Sequence, residues 1–78
     1  MAKLSFHKEL RNRPDLAVIA ELVDRGHRVL DLGCGDGSFL KMLKEERGAE
    51  VLGIELDPDL IAECIANGVP VVQMDLDD

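Results

Sequence analysis

A glycine-rich segment between a short apolar run and a helical pattern constrains the fold of this chain more than any other feature. The run Val29-Leu-Asp-Leu32 has the composition of a strand, and it leads directly into Gly33-Cys-Gly-Asp-Gly37. From Ser38 onward, apolar residues recur at helical spacing until Gly48. A strand, a glycine turn and a helix in this order place backbone N–H groups and the positive end of a helix dipole beside a ligand. The segment therefore predicts an α/β fold with a ligand-binding loop.

The remainder of the chain alternates helices and strands in the same way. Proline suits the first turn of a helix and an Asn-Gly pair ends one, so these residues mark predicted boundaries. The predicted order is a helix from Pro14 to near Gly26, a strand at 28–32, a helix at 38–47, a strand at 50–55, a helix from Asp57 to Ala66 and a strand at 70–74. Alternating elements with short connections favour parallel strands joined by right-handed crossovers.

Each predicted helix has one apolar face that can contribute to a core. Residues three and four positions apart lie on the same side of a helix. The predicted core-facing residues are Leu16, Ile19, Ala20 and Val23 in the first helix, Phe39, Leu40 and Leu43 in the second, and Leu60, Ile61, Cys64 and Ile65 in the third. Because the chain has only 78 residues, we expect one small domain with a thin margin of stability.

The composition argues against nucleic acid as a direct partner. The formal net charge is −7, whereas binding to phosphodiesters depends on clustered Lys and Arg. The chain has no Trp, no Tyr and two Phe, so it lacks the aromatic platforms on which single-stranded bases stack. The acidic residues are concentrated after Gly48, where there are eight Asp or Glu and no Lys or Arg. This asymmetry is compatible with a solvated surface or with a role in choosing partners.

Neither cysteine belongs to a recognisable metal or redox motif. Cys34 and Cys64 are thirty residues apart without a CxxC pattern, and the two histidines have no ligand-like spacing with them. We therefore expect reduced thiols and no metal. No apolar run approaches the roughly 20 residues of a membrane span, and the N-terminus lacks the apolar region of a signal peptide. The sequence predicts no membrane association and a cytoplasmic location.

Acidic residues follow or end each of the three predicted strands. Asp31 lies two residues before the first loop glycine, Glu55 ends the second strand 22 positions after Gly33, and Asp75 follows the third. Ligands of open α/β sheets bind beyond the carboxyl ends of the strands, so these three carboxylates are predicted to line one crevice. The loop reads GxGxG, whereas the dinucleotide fingerprint GxGxxG requires a glycine where this chain has Ser38. A nicotinamide dehydrogenase half is therefore disfavoured.

The loop and its acidic neighbours resemble the first motif of the class I S-adenosylmethionine-dependent methyltransferases. Within that superfamily, the chain is most similar to the N-terminal half of the MetW family of methionine-biosynthesis proteins. The resemblance is carried by 13–16, 28–37, 53–58 and 61–68. It implies a three-layer Rossmann-like parallel sheet of which only the first half is present, with the order α-β-α-β-α-β and strand order 3-2-1. It also implies a cofactor-binding half at 13–78. Residues 1–12 lie outside the resemblance, and their polar and basic composition predicts an N-terminal arm, with a short docked helix as the alternative.

The resemblance implies a set of residues that bind S-adenosylmethionine or S-adenosylhomocysteine. In the loop, Gly33 and Gly35 would approach the methionine and ribose portions, and Asp31 would orient the amino group. Gly37 would let the following helix pack near the strand, and Cys34 would be a small side chain in a tight turn. The full set is Asp31, Gly33, Cys34, Gly35, Gly37, Glu55, Leu56, Asp75 and Leu76.

The implied roles beyond the loop concern the ribose and the adenine. Glu55 would accept hydrogen bonds from both ribose hydroxyls, because a carboxylate has two acceptor oxygens. Leu56 would pack on the adenine, Asp75 would accept from its exocyclic amine, and the N–H of Leu76 would donate to the ring. Each acid also has a structural interpretation: Asp31 as a cap of the loop, Glu55 as a surface acid and Asp75 as part of a solvated acidic run.

The sequence leaves more than one function open. The first is the S-adenosylmethionine-binding portion of a methyltransferase-like protein linked to methionine biosynthesis, which we expect to be inactive as this chain alone and whose methyl acceptor is unassigned. The second is a non-catalytic interaction module whose implied partner is homoserine O-acyltransferase. The third is a truncated or engineered Rossmann-like fragment. Because the family places a fourth strand beside strand 1, we expect self-association through strand 1 (29–32) or through uncovered helix faces.

Overall fold

Helices and strands alternate three times along the part of the chain that can be described. The computed structural model describes residues 14–75 and residue 77, so the predicted arm at 1–12 lies outside it. The elements are α1 (Pro14–Leu22), β1 (Arg28–Leu32), α2 (Ser38–Arg47), β2 (Glu50–Glu55), α3 (Pro58–Ala66) and β3 (Val71–Gln73). The predicted element order is confirmed.

The first helix ends earlier than predicted. A turn follows α1, in which Gly26 has the left-handed φ of 84° and the N–H of Asp24 donates to Nδ1 of His27 at 3.0 Å. Arg47, at the end of α2, donates from Nε to the carbonyl of Val23 at 2.8 Å. The turn and this bond satisfy backbone groups beyond Leu22, where the helix can no longer supply partners.

The three strands form a parallel sheet with β2 in the centre. The order is β1-β2-β3, which confirms the predicted strand order 3-2-1. Val29 pairs with Val51, and Gly53 pairs with Val71. Among the described strands β1 has a neighbour on one side only.

Local sequence sets the ends of the second and third helices. Gly37 precedes α2 with a φ of 82°, and the N–H of Ser38 donates to Oδ1 of Asp36 at 2.9 Å. Asp57 caps α3 by accepting from the N–H of Asp59 at 2.9 Å, and Pro58 occupies the first turn. Both helices therefore begin immediately beyond the carboxyl end of a strand.

One face of the sheet, here called the covered face, packs against the helices. It consists of Val29, Val51, Gly53 and Val71, which alternate with residues that point to the other side. The buried core comprises Ala20, Val23, Cys34, Leu40, Met42, Leu43, Ala49, Val51, Cys64 and Val69. All three helices contribute to it. Ile19 and Ile65 were expected in the core, but they are exposed because the single helical layer has no further layer outside it.

The opposite face of the sheet, here called the open face, includes the half-buried Ile54 and four exposed apolar residues, Leu30, Leu32, Leu52 and Val72. The exposed fractions of these four are 57%, 59%, 38% and 41%. No helix of the described residues packs there, so residues 14–75 supply the sheet and one of the two helical layers of the Rossmann-like architecture. None of the described helices is long and apolar enough to cross a membrane.

Candidate functional site

The glycine loop after β1 is fixed to the neighbouring strand through its backbone. The N–H groups of Gly33 and Cys34 both donate to the carbonyl of Ile54 in β2, at 2.8 and 3.1 Å. Gly33, Gly35 and Gly37 have φ angles of 79°, 61° and 82°. These left-handed conformations explain the alternating glycines, since side chains with a Cβ adopt them only with strain. The loop therefore has a defined shape at the carboxyl end of the sheet.

Glu55 connects the loop to the turn that follows β2. Its Oε1 accepts from the N–H of Gly35 at 3.0 Å, and its Oε2 accepts from the N–H groups of Leu56 and Asp57 at 3.0 and 3.1 Å. The N–H groups of Asp57 and Gly35, and then that of Leu56, lower the pKa of Glu55 below its usual value. Glu55 is thus an ionised carboxylate held against the glycine loop.

Asp31 is the second carboxylate at this edge, and its surroundings act in the opposite direction. Partial burial, and then the negative charge of Glu55, raise the pKa of Asp31 above its usual value. The strand register puts Asp31 beside Gly53 on the covered side of the sheet. The charge of Glu55 disfavours ionisation of Asp31, and negative charge at this edge favours a cationic ligand.

An open cleft of about 280 Å³ lies along the loop. Besides the loop, its lining has the acid Asp31 and the apolar side chains Leu16 and Phe39. The full lining is Leu16, Asp31, Gly33, Cys34, Gly35, Asp36, Ser38 and Phe39. A Cβ built on Gly33 or Gly35 would meet no atom within 4 Å, so the space beside both glycines is open. The loop can therefore approach a ligand closely with its backbone.

Cys34 lies at the base of the loop with its thiol in the core. Its Sγ is 3.6 Å from the Sγ of Cys64, and burial, followed by the contact with Cys64, raises its pKa to about 12. The thiol is therefore protonated at neutral pH, which agrees with the interpretation as a small side chain in a tight turn and not as a nucleophile.

Two glycines make close contacts that were not predicted. Gly37 was expected to let α2 pack near the strand, and a Cβ at Gly37 would also lie 3.1 Å from Sγ and 3.3 Å from Cα of Cys64, so this glycine lets the start of α2 approach α3. Gly53 makes room for the loop, since a Cβ there would collide with Sγ of Cys34. Gly53 was not among the predicted site residues, although glycine inside a strand is a known sign of close backbone approach.

The end of β3 contacts Glu55 and the turn that follows it. The N–H of Met74 donates to the carbonyl of Glu55 at 3.2 Å, and Nε2 of Gln73 donates to the carbonyl of Leu56 at 3.2 Å. Asp75 is exposed, lies two residues beyond the end of β3, and accepts from the N–H of Asp77 at 2.9 Å. Leu76 lies outside the described residues. Leu56 is 51% exposed and follows Glu55 directly. The structure thus brings Asp31, the loop glycines and Glu55 together, whereas the roles of Leu56, Asp75 and Leu76 stay predictions.

Solved structures identify the class to which this fold corresponds. A TehB-like S-adenosylmethionine-dependent methyltransferase from Corynebacterium glutamicum superposes with a TM-score of 0.69 at 34% identity, covering 80% of this chain and 34% of that one. A methyltransferase from Thiobacillus denitrificans, solved in complex with S-adenosyl-L-homocysteine, gives 0.65 at 27% identity, covering 82% and 30%. The fold is that of the S-adenosylmethionine-dependent methyltransferases.

Sequence comparison narrows this class to one family. The model of the family described as "Methionine biosynthesis protein MetW" matches residues 13–78. The chain therefore belongs to the MetW family. Trans-aconitate 2-methyltransferase of Mycobacterium tuberculosis is 31% identical over 70 residues, covering 87% of this chain and 27% of that protein. The chain thus spans about a quarter of the length of the curated relatives it matches and about a third of the solved ones.

Proposed function

We propose that this chain binds S-adenosylmethionine or S-adenosylhomocysteine and forms the cofactor-binding portion of a methyltransferase-like protein. The observation that carries the proposal is the hydrogen bond from the N–H of Gly35 to Glu55, which holds an ionised carboxylate against an open glycine loop. The family membership supports a link to methionine biosynthesis. A cytoplasmic location belongs to the same proposal.

The groups at the cleft fit the chemistry of this cofactor. S-adenosylmethionine has an ammonium, a sulfonium and a ribose diol, which require negative charge and hydrogen-bond acceptors. Asp31 lines the cleft, and Glu55 is hydrogen-bonded to Gly35 of its lining, so the site has two carboxylates. Gly33 and Gly35 leave open space beside the backbone. Phe39 supplies apolar surface in the same cleft. The acceptor groups and the apolar surface of the site therefore match the groups of this ligand.

Glu55 has limited capacity for further hydrogen bonds. A carboxylate has about four lone-pair sites, and three backbone N–H groups already donate hydrogen bonds to that of Glu55. One ribose hydroxyl can be accommodated at Oε1 with all three bonds kept. Accepting both hydroxyls requires the release of one backbone bond. We therefore expect the turn at Leu56 and Asp57 to adjust when the diol binds.

The chain's own contribution to methyl transfer is binding and orientation. When bound, the cofactor supplies a methyl group activated by its sulfonium. Asp31 and Glu55 hold the charged and polar ends of such a ligand, and the loop glycines fix its position relative to the sheet. Orientation of this kind is a large part of what a transfer between two bound molecules needs. No methyl acceptor is assigned to the chain.

Calorimetric titration with S-adenosylhomocysteine tests the proposal. Glu55→Gln replaces an acceptor oxygen by a donor, and we expect it to weaken binding about tenfold or more. Glu45→Gln is the matched control, because it removes the same charge from an exposed site toward the other end of α2 and leaves affinity unchanged. Absence of binding at millimolar ligand, in a chain shown by circular dichroism to be folded, contradicts the proposal.

A second candidate function is that of an interaction module, and the open face is the observation that favours it. Four exposed apolar side chains on one side of a sheet are typical of a surface that another molecule covers. The partner implied by the family resemblance is homoserine O-acyltransferase. The test is a pull-down with that enzyme. If the chain is an interaction module, Glu55→Gln should still bind the enzyme and Leu52→Glu should not. If the association depends on the cofactor, neither variant should bind.

A further inference from the structure

Cys64 in α3 and Asn67, the residue that caps the end of this helix, donate side-chain hydrogen bonds to the carbonyls of the glycine loop. The thiol of Cys64 donates to the carbonyl of Gly35 with Sγ at 3.1 Å, and Nδ2 of Asn67 donates to the carbonyl of Asp36 at 3.0 Å. Cys64 is fully buried, and both bonds are at least partly shielded from solvent. Because Cys64 and Asn67 are three residues apart, they lie on the same side of α3.

These bonds hold two consecutive peptide groups of the loop. A peptide group is planar, so fixing the carbonyls of Gly35 and Asp36 fixes the orientation of the peptide planes that follow each residue. Glu55 accepts from the N–H of Gly35 on the other side. A segment with alternating glycines has more conformational freedom to lose than other sequences. Cys64, Asn67 and Glu55 together remove that freedom before a ligand arrives.

Neither donor belongs to the cleft itself. The cleft is lined by α1, β1 and the loop with the start of α2, whereas Cys64 and Asn67 lie behind the loop at the carboxyl end of α3. We infer that Cys64 and Asn67 are positioning residues that preorganise the glycine loop for S-adenosylmethionine binding. This inference rests on the proposed function. A loop that is already ordered in the free chain loses little conformational entropy when the ligand binds, so the affinity is higher.

The local roles of these residues do not account for the two bonds. Asn67 ends α3 through its backbone N–H, which donates to the carbonyls of Glu63 and Cys64, so the helix end does not use its side chain. Packing of Cys64 against Gly37 requires a small side chain but no donor. The side-chain donors of both residues serve the loop.

The first test removes the Asn67 donor. We expect Asn67→Ala to weaken binding of S-adenosylhomocysteine about three- to tenfold in calorimetric titration and to lower the thermal unfolding midpoint slightly, because a partly shielded hydrogen bond of the free chain is lost. Lys44→Met is the matched control, since Nζ of Lys44 donates to the carbonyl of Gly68 at 3.0 Å, outside the loop. The control variant is expected to bind with unchanged affinity.

The second test separates the Cys64 donor from its packing. Cys64→Ala removes the donor, whereas Cys64→Ser restores one in a side chain of similar size. The inference predicts weaker binding by Cys64→Ala and recovery in Cys64→Ser. Equal affinity of both variants, whatever their stabilities, would mean that Cys64 acts only through packing and would overturn its positioning role.

A third measurement uses no ligand. Amide hydrogen exchange at Gly35, Asp36 and Gly37, followed by NMR, is expected to be faster in Asn67→Ala and Cys64→Ala than in the unchanged chain. Unchanged exchange together with unchanged affinity overturns the inference. If the unchanged chain fails to bind S-adenosylhomocysteine, the proposed function fails, and the exchange rates still decide whether α3 orders the loop.

Discussion

The two faces of the sheet have similar side chains but different surroundings. On the covered face, Val51 is 9% exposed beneath the helices, whereas its neighbour Leu52 on the open face is 38% exposed. Both residues belong to the apolar run of β2, which resembles a strand buried on both faces. Such a run indicates what a strand is suited to contact, whereas the helices present decide which face is buried.

The candidate site belongs to the covered face. Asp31 pairs with Gly53, and Glu55 is two residues beyond Gly53, so all three share the side of the sheet that carries the core. The site is therefore continuous with the packing of α2 and α3. The open face is separate from it. We expect changes on the covered face to affect both stability and binding, and changes on the open face to affect association.

The largest expected effect is in the core beneath the covered face. Leu40 in α2 is fully buried, and Leu40→Ala should lower the free energy of unfolding by about 2–5 kcal/mol. For a chain of this size, that loss is comparable to the total stability. Urea denaturation measures it. Leu30→Ala on the open face, where Leu30 is 57% exposed, is the matched control and should cost less than about 1 kcal/mol. Equal losses would abolish the distinction between the faces.

The next effect is at Gly53, where the core meets the site. Gly53→Ala places a new Cβ against Sγ of Cys34 and 3.0 Å from the Cβ of Cys34. This crowding should lower the free energy of unfolding by about 1–3 kcal/mol. It should also weaken S-adenosylhomocysteine binding, because Cys34 belongs to the loop. Adding Cys34→Ala removes the sulfur and should recover part of both losses in denaturation and titration experiments. Failure of the second change to help would show that the loop does not depend on this contact.

Changes on the open face should alter association more than stability. Replacing Leu30 and Leu52 together by Thr keeps residues suited to strands, so each change should alter the free energy of unfolding by about 0.5 kcal/mol or less. The self-association expected of the unchanged chain should decrease, as measured by sedimentation velocity at high micromolar concentration. A monomeric unchanged chain at that concentration would contradict the expected self-association.

The smallest effect concerns the two carboxylates of the site and their pH dependence. Because the folded state raises the pKa of Asp31, the stability associated with Asp31 is present below the usual pKa of 3.8 and is lost as the pH rises through the raised value. Asp31→Asn should therefore increase the free energy of unfolding at pH 7 by less than about 1 kcal/mol. It should also weaken S-adenosylhomocysteine binding. Denaturation between pH 3 and pH 7 tests the sign.

Glu55 provides the opposite pH dependence and the control for Asp31. Its pKa is lowered in the folded state, so its contribution to stability is present above its ordinary pKa of 4.5 and is lost as the pH falls through the lowered value. In Glu55→Gln, this loss of stability at low pH should be absent. The two single variants, Asp31→Asn and Glu55→Gln, should shift the pH dependence of unfolding in opposite directions. Shifts in the same direction would contradict the opposite environments of the two acids.

Local sequence signals account for the part of the fold that was predicted. The glycines of the loop, Pro58 after Asp57 and the glycine at 48 require special backbone geometry or act as caps, so they fix where α2 and α3 begin and end. The location of Asp31 and Glu55 at one edge of the sheet also follows from the sequence, because both lie toward the carboxyl ends of parallel strands.

The missed features depend on which elements come together. Helical periodicity places Ile19 and Ile65 on apolar faces, but it does not give the width of the face that one helical layer can bury. The contact of Gly37 with Cys64 and the bond from Asn67 to Asp36 join residues about thirty positions apart. Such contacts leave no periodic or short-range pattern in the sequence.

The strand register also has a consequence for how the chain folds. Val29 pairs with Val51 and Gly53 pairs with Val71, so the two pairings close segments of similar length that each include one helix. The entropy of closing a loop increases only slowly with its length, so neither pairing has a large kinetic advantage over the other. Since β2 takes part in both, ordering of β2 is the step that both routes to the native sheet share.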